Sequence, residues 1–171
     1  MRKIGIGVAL AAAGALAIVS TTAGADDAGS SVTRTIKCTV LLAKQQDPGP
    51  TQKGIDFARI TCSKPFGRGA QYDTFGPIDP SDPTKLRMDW QGYFEEGSIR
   101  GTWDVTAVPD DTPCGVHFVI TRVTVTRGTG DFRRARARTG SGRAAFTDPE
   151  NAPACSHATA RWSARISGLP R

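Results

Sequence analysis

Apolar and polar residues alternate along most of the chain, which is the pattern of β-strands with one buried face. The longest regular alternation covers residues 155–167, where alanine, tryptophan and isoleucine occupy one face and polar residues the other. Residues 32–43 repeat it, with Ile36, Cys38 and Val40 on one face. The segments that predict strands are 32–43, 56–63, 70–75, 85–95, 98–108, 115–126, 132–146 (one strand or two) and 155–167.

Glycine and proline separate these segments. Residues 45–54 contain Asp-Pro-Gly-Pro and residues 64–84 contain four prolines, so both stretches are predicted to be largely loop, because proline cannot complete a strand ladder. Threonine, valine and glycine are frequent while leucine and methionine are scarce, which disfavours a helical bundle. Regularly spaced turns between short strands are typical of an antiparallel barrel or sandwich. We therefore expect one all-β domain over residues 32–171.

A glycine-rich stretch follows residues 115–126, the most strand-like of these segments. Its sequence, Arg127-Gly-Thr-Gly-Asp-Phe132, places two glycines one residue apart between extended segments, and glycine readily adopts the positive φ of a tight turn. The sequence thus predicts a hairpin, with Phe132 packed back onto the sheet. In the preceding strand the apolar alternation runs over even-numbered positions up to Ile120 and over odd-numbered positions from Val123. This change at Thr121-Arg122 predicts a β-bulge.

The N-terminus has the features of an export signal. Arg2-Lys3 precedes an uncharged apolar run that ends in Ala23-Gly-Ala25, so residues 1–25 are predicted to be a cleaved signal peptide and residues 26–31 a loose tail. A membrane anchor is the alternative, but the run is short and diluted by glycine and alanine. The net charge is +6, and loss of the two signal cations leaves +4. We expect a secreted protein without membrane attachment.

The four cysteines lie in the part predicted to be exported, where an even number favours two disulfides. Metal binding is the alternative, but the sequence has no Cys-x-x-Cys and its two histidines are far apart. Three pairings are open. An antiparallel pairing that sets Lys44 opposite Asp56 also sets Cys38 opposite Cys62, and strand directions bring Cys114 and Cys155 to one end of the sheet. We therefore prefer Cys38–Cys62 and Cys114–Cys155, with no metal and no cofactor.

The C-terminal part of the chain resembles the dirigent and allene oxide cyclase family. The likeness rests on residues 123–132, on Ala135-Arg136 and Gly142, and on Phe-Thr-Asp-Pro at 146–149. Arg127 and Ala137 stand where the family pattern has glycine. The resemblance implies a single eight-stranded antiparallel β-barrel of the calycin type with an internal ligand cavity. It also implies ring closure of small organic molecules, or binding without turnover.

The basic run after the glycines has two interpretations. Arg134, Arg136 and Arg138 would share one side of a strand, and facing inward they could bind a carboxylate or phosphate. Burying three unpaired charges is very unfavourable, so a solvated outer face, with Ala135 and Ala137 inward, is favoured. The run has no interleaved aromatic residues, which argues against nucleic-acid binding.

Candidate site residues come from the chemistry of individual side chains and from the family resemblance. His117 could act as a general base, because histidine titrates near neutrality. Asp131 and Arg136 are catalytic candidates through the resemblance, and Arg136 is also a candidate ligand contact. The other predicted ligand-binding residues are Trp90, Trp103, Trp162 and Tyr93.

Two functions remain open from the sequence. The first is a barrel that binds a small hydrophobic or anionic organic molecule and steers its cyclisation, as an isomerase or cyclase if it turns the molecule over. The second is an extracellular interaction protein, such as a protease inhibitor or cell-envelope binding module, acting through a loop at residues 71–84 or 108–113. Either is compatible with a homo-oligomer.

Overall fold

The computed structural model describes residues 31–46, 53–76, 81–147, 155 and 157–171. The predicted signal peptide and all but the last residue of the predicted tail lie outside these residues. Within them the chain forms nine strands and one short 3-10 helix, at Gly130–Phe132. The strands are β1 Val32–Gln46, β2 Gly54–Cys62, β3 Arg68–Phe75, β4 Lys85–Phe94, β5 Gly97–Pro109, β6 Val116–Val123, β7 Arg127–Gly128, β8 Gly140–Thr147 and β9 His157–Leu169.

Eight of these strands close into a barrel in which every neighbouring pair is antiparallel. Strands β1 to β6 pair in sequence order, then β6 pairs with β8, β8 with β9, and β9 with β1. The two-residue β7 pairs only with β5. The predicted eight-stranded antiparallel barrel is therefore confirmed.

The alternation in the sequence matches the inward and outward faces of the strands. In β9, Ala160, Trp162, Ala164 and Ile166 are buried, and Arg161 between them is exposed. Because successive side chains point to opposite faces of a strand, one apolar parity is enough to build each wall of the barrel.

Both predicted disulfides are present. Cys38 faces Cys62 across β1 and β2, and Cys114 bonds Cys155 at the end of the barrel where β6 and β9 begin. One part of the predicted register is wrong, because Ala43 is an extra residue in β1 that sets Lys44 opposite Phe57 instead of Asp56. Two disulfides indicate that the chain folds in an oxidising environment.

The predicted bulge in β6 is also found. Asp104 of β5 pairs with Arg122, whereas the next residue, Val105, pairs with Ile120, so Thr121 is the extra residue. A bulge of this kind increases the local bend of a strand, which barrel closure requires.

The predicted glycine hairpin is wrong. After Val123 the chain continues along β5, through backbone hydrogen bonds from Thr124 and Thr126, to β7. Gly130, with a φ of 56°, then turns it into the 3-10 helix, and Phe132 is buried as the sequence predicted. The strand that pairs with β6 begins only at Gly140.

Residues 133–139 do not form the predicted strand and make only two isolated bridges to other segments. Their alternation is nevertheless real, because Ala135 and Ala137 are buried. Arg134, Arg136 and Arg138 are exposed, in agreement with the solvated interpretation of the basic run.

Aromatic side chains plug one end of the barrel. The rings of Phe66 and Phe132 lie 4.4 Å apart between centroids, and Phe94 lies 5.1 Å from Phe66 and 6.1 Å from Phe132. All three rings are buried. Phe66 and Phe132 come from the segments outside the barrel strands, so these segments fold over the end of the barrel and close it.

We predict that Gly101→Ala destabilises the barrel. A Cβ atom at this position in β5 would overlap the backbone carbonyl of Thr124, which cannot move without breaking the pairing of residues 124–126 with β5. We expect the free energy of unfolding to fall by at least about 2 kcal/mol. Gly76→Ala is the control, because no atom of the described residues lies within 4 Å of a Cβ there. Equal denaturation midpoints for the two variants would contradict this account.

Candidate ligand cavity

The end of the barrel opposite the phenylalanine plug contains a cavity of about 480 Å³. All eight barrel strands contribute to its wall. Its lining is mainly apolar and includes several small side chains, among them Ala58, Ala144, Ala158 and Ala160. Because alanines occupy inward positions here, the interior is not filled by side chains at this level.

Three tryptophans form the floor of the cavity. Their ring centroids are 5.4 Å apart for Trp90 and Trp162, 6.2 Å for Trp90 and Trp103, and 6.4 Å for Trp103 and Trp162. Trp103 lines the cavity, while the other two are buried beside it. None of the three indole N–H groups has a hydrogen-bond partner among the described residues. The floor of the cavity is therefore formed by Trp103, with Trp90 and Trp162 packed against it.

Two aspartates enter this apolar cavity from neighbouring strands. Asp56 of β2 lies directly opposite Asp73 of β3, and both line the cavity. The amide Nε2 of Gln71 donates to both carboxylate oxygens of Asp73, at 2.8 and 2.9 Å. Gln71 and Asp73 are 2% and 3% exposed. The two carboxyl groups are thus the main polar feature of a site whose walls are otherwise largely apolar.

Burial changes the acidity of Asp73. Loss of hydration is the main cause that raises the pKa of this carboxyl to about 7; the hydrogen bond from Gln71 opposes the rise, and the nearby Asp56 adds to it. A carboxyl group with such a pKa exists in both protonation states near neutrality. It can donate a hydrogen bond, or accept a proton from a bound molecule.

Of the four aromatic residues predicted to bind the ligand, one lines the cavity, two pack below it and one lies outside the barrel. Trp103 lines the cavity, and Trp90 and Trp162 support it from below. Tyr93 is 49% exposed on the outside of the barrel, because β4 turns Trp90 and Phe94 inward and therefore Tyr93 outward. It has no part in the cavity.

Asp131 and Arg136 lie at the plugged end, far along the barrel from the cavity. Asp131 is exposed in the 3-10 helix that carries Phe132. The guanidinium of Arg136 donates to the backbone carbonyls of Ala135 and Arg133, at 2.6 and 3.2 Å. Both side chains belong to the segment that closes the barrel end.

His117 lies near the cavity end but on the opposite face of β6 from the cavity-lining Phe118. Its Nδ1 is 2.8 Å from a carboxylate oxygen of Asp110, and its Nε2 is 2.7 Å from Nη2 of Arg143. Since arginine can only donate, Nε2 accepts, and Nδ1–H donates to Asp110. Hydrogen bonds from Thr112, and then from His117, lower the pKa of Asp110. This arrangement fixes the ring between strand and loop.

Sequence reasoning missed the aspartate pair, although one signal was present. Asp56 has the same parity as the buried Ala58, Ile60 and Cys62, so it is a polar residue on an inward face. Asp73 falls in the strand predicted at residues 70–75, which β3 confirms, but the alternative of an exposed loop at residues 71–84 places it outside any cavity. That interpretation is wrong for residues 71–75, which belong to β3, and likewise Val108 and Pro109 belong to β5.

We predict that Asp73 makes stability depend on pH. Between its ordinary pKa of 3.8 and about 7, the unfolded chain loses this proton while the folded protein keeps it. Unfolding then releases a proton, so the free energy of unfolding falls as pH rises through this window, by up to about 4 kcal/mol. Asp73→Asn should remove this pH-dependent component. The free energy of unfolding of the variant should therefore rise relative to that of the wild type between pH 4 and pH 7.

Denaturation curves at several pH values measure the difference, with Asp89→Asn on the exposed face of β4 as the control. Parallel pH profiles for the wild type and Asp73→Asn would rule out the burial effect at this carboxyl.

Comparison with known proteins adds little to this geometry. No known family matches the chain, and no curated protein does either. The solved structure of a pyocyanin demethylase is similar with a TM-score of 0.37 and 13% identity, over 79% of this chain and 99% of that one. A similarity this weak carries no inference about function. Across the residues that the structure describes, no helix is long and apolar enough to span a membrane, and no group of acidic, histidine or cysteine side chains is placed to hold a metal ion.

Proposed function

We propose that this protein binds a small, largely apolar organic molecule in the barrel cavity, with the Asp56–Asp73 pair as its polar anchor. The observation that carries the proposal is an apolar cavity of about 480 Å³ with two carboxyl groups on its wall. Small-molecule sites commonly have volumes of 300–1,000 Å³, apolar walls and a few converging polar groups. The cavity matches that description in size and in chemistry.

The aspartates favour one class of ligand over another. Of the hydrophobic and anionic ligands that the sequence left open, an anion would be repelled by ionised carboxylates in a medium of low polarity. A neutral molecule with a carbonyl or hydroxyl group can accept a hydrogen bond from protonated Asp73. A molecule with a protonated amine can pair with the ionised form. We therefore propose a neutral or cationic ligand.

The same carboxyl group supplies a route to chemistry. Ring closure and isomerisation of small molecules require a proton to be moved to or from the substrate, and a group with a pKa near 7 does this well at neutral pH. If the protein turns its ligand over, as the resemblance to allene oxide cyclases would imply, we propose Asp73 as the proton-transferring residue. Asp131, Arg136 and His117 do not line the cavity and take no part in this proposal.

The rival loop-based function has less support. Residues 71–75, the start of the loop on which it relied, are paired in β3 and contribute Asp73 and Phe75 to the cavity wall. The segment at residues 108–113 is anchored by β5 and by the hydrogen bond between Asp110 and His117. A rigid loop would favour the rival function on a filled barrel, but this barrel contains a cavity.

We predict that the cavity binds N-phenyl-1-naphthylamine, a neutral fluorescent probe, more tightly than its sulfonated analogue 8-anilino-1-naphthalenesulfonate. The two probes share one ring system, so the difference reports the effect of the negative charge near the aspartates. Probe fluorescence and quenching of tryptophan emission measure binding, because Trp103 lines the cavity.

Ala160→Leu fills part of the cavity and should weaken binding of the neutral probe at least tenfold. Ala70→Leu is the matched control, because Ala70 is exposed on the outside of β3. Failure of both probes to bind, or equal losses in the two variants, would overturn the proposal.

A further inference from the structure

We propose a second binding surface, for an anionic polysaccharide, on the outer wall of the barrel formed by β8, β9 and β1. We call it the basic face, and define it by the outward cations of these strands. They are Lys37, Arg143, Arg161 and Arg165. It lies on the opposite side of the strands from the cavity, and it does not depend on the function proposed for the cavity.

The charge on this face is only partly offset by an acid, through Arg143, which donates to His117, which in turn donates to Asp110. Strands β1, β8 and β9 contain no aspartate or glutamate. The ion pairs found among the described residues involve other cations. The outward aspartates lie instead on β4 and β5, at Asp89, which is exposed, and Asp104, which is partly exposed. The barrel therefore has one wall on which all the charged side chains are positive. Such a wall attracts polyanions and speeds their association.

Two of the arginines are held in an unfavourable arrangement. Arg143 of β8 lies directly opposite Arg161 of β9, and both are exposed. Like charges directly opposite each other on neighbouring strands destabilise a sheet. A bound anion between them would remove this repulsion, because each planar guanidinium can bind a carboxylate or sulfate through two parallel hydrogen bonds.

Hydroxyl groups fill the spaces between the cations. Across β1 and β9, Thr39 faces Arg161, Ser163 faces Lys37, and Thr35 faces Arg165. A shallow depression of about 420 Å³ lies on this wall. Its lining includes Thr35, Thr139, Ser141, Ser163 and Arg165. Hydroxyls beside arginine suit a sugar chain, which offers ring hydroxyls and acidic groups at regular intervals.

The composition of the face favours a polysaccharide over a nucleic acid. Proteins that bind single strands present aromatic rings on which bases stack. The aromatic residues described in β8 and β9, Phe146 and Trp162, have the inward parity of their strands, and β1 has none. A sugar polymer does not require such rings when its charges are paired with arginine.

The test measures binding of the full-length exported protein to polygalacturonate, with neutral dextran as the uncharged polymer and single-stranded DNA as the competing polyanion. The double variant Arg143→Gln/Arg161→Gln removes the opposed pair. Arg100→Gln/Arg127→Gln is the matched control, because Arg100 and Arg127 are also opposed across two strands but belong to β5 and β7. Arg165→Gln provides a second variant of the face, and its side chain is exposed.

We expect polygalacturonate to bind, dextran not to bind, and added salt to weaken binding. The Arg143/Arg161 variant should lose at least tenfold in affinity, Arg165→Gln a smaller amount, and the control pair less than twofold. Equal losses in the two double variants, dextran binding, or tighter binding of DNA than of polygalacturonate would overturn the proposal. Binding of the neutral naphthylamine probe should be unchanged in all three variants, which separates failure of this face from failure of the cavity.

Discussion

The interior of the barrel is filled unevenly along its axis, and the candidate site depends on this. The inward positions of eight closed strands enclose a volume that side chains can just fill. At one end three phenylalanines and the aliphatic side chains around them fill it, and three tryptophans follow in the middle. At the other end alanines take inward positions in β8 and β9, and a cavity remains. The packed end supports the fold, so the other end can remain open.

Local alternation explains how much of this fold the sequence predicted. A period of two arises whenever a strand has one face toward solvent and one toward the core. The positions of β1 and β9 in the sequence could therefore be predicted from their residues alone. The cysteine pairing followed from the strands, since Cys38 and Cys62 lie on the inward parity of two neighbours. The extra residue at Ala43 could not be foreseen, because its effect on register depends on the curvature of the closed sheet.

The glycine-rich segment shows where local reasoning fails. Two glycines one residue apart permit a hairpin, and they equally permit the chain to pass close to another backbone. Here a side chain at Gly128 would overlap the carbonyl of Phe132, and one at Gly130 the carbonyl of Glu96. Only the tertiary structure decides between these uses. The glycine-rich part of the family resemblance, residues 127–132, therefore belongs to the plug of the barrel, as do Asp131 and Arg136, whereas Phe146 of the same pattern lines the cavity.

If the cavity binds a ligand as proposed, the buried Asp73 links the occupancy of the cavity to the acidity of the surroundings. Linkage is reciprocal: a ligand that binds one protonation state better shifts the equilibrium toward that state, and pH in turn shifts the affinity. With the pKa of Asp73 at about 7, a neutral ligand that accepts its proton in a hydrogen bond is held more tightly as the medium becomes acidic. A cationic ligand is held more tightly as the medium becomes alkaline. If the proposed function holds, a single buried carboxyl would thus let the barrel exchange one class of ligand for the other across neutral pH.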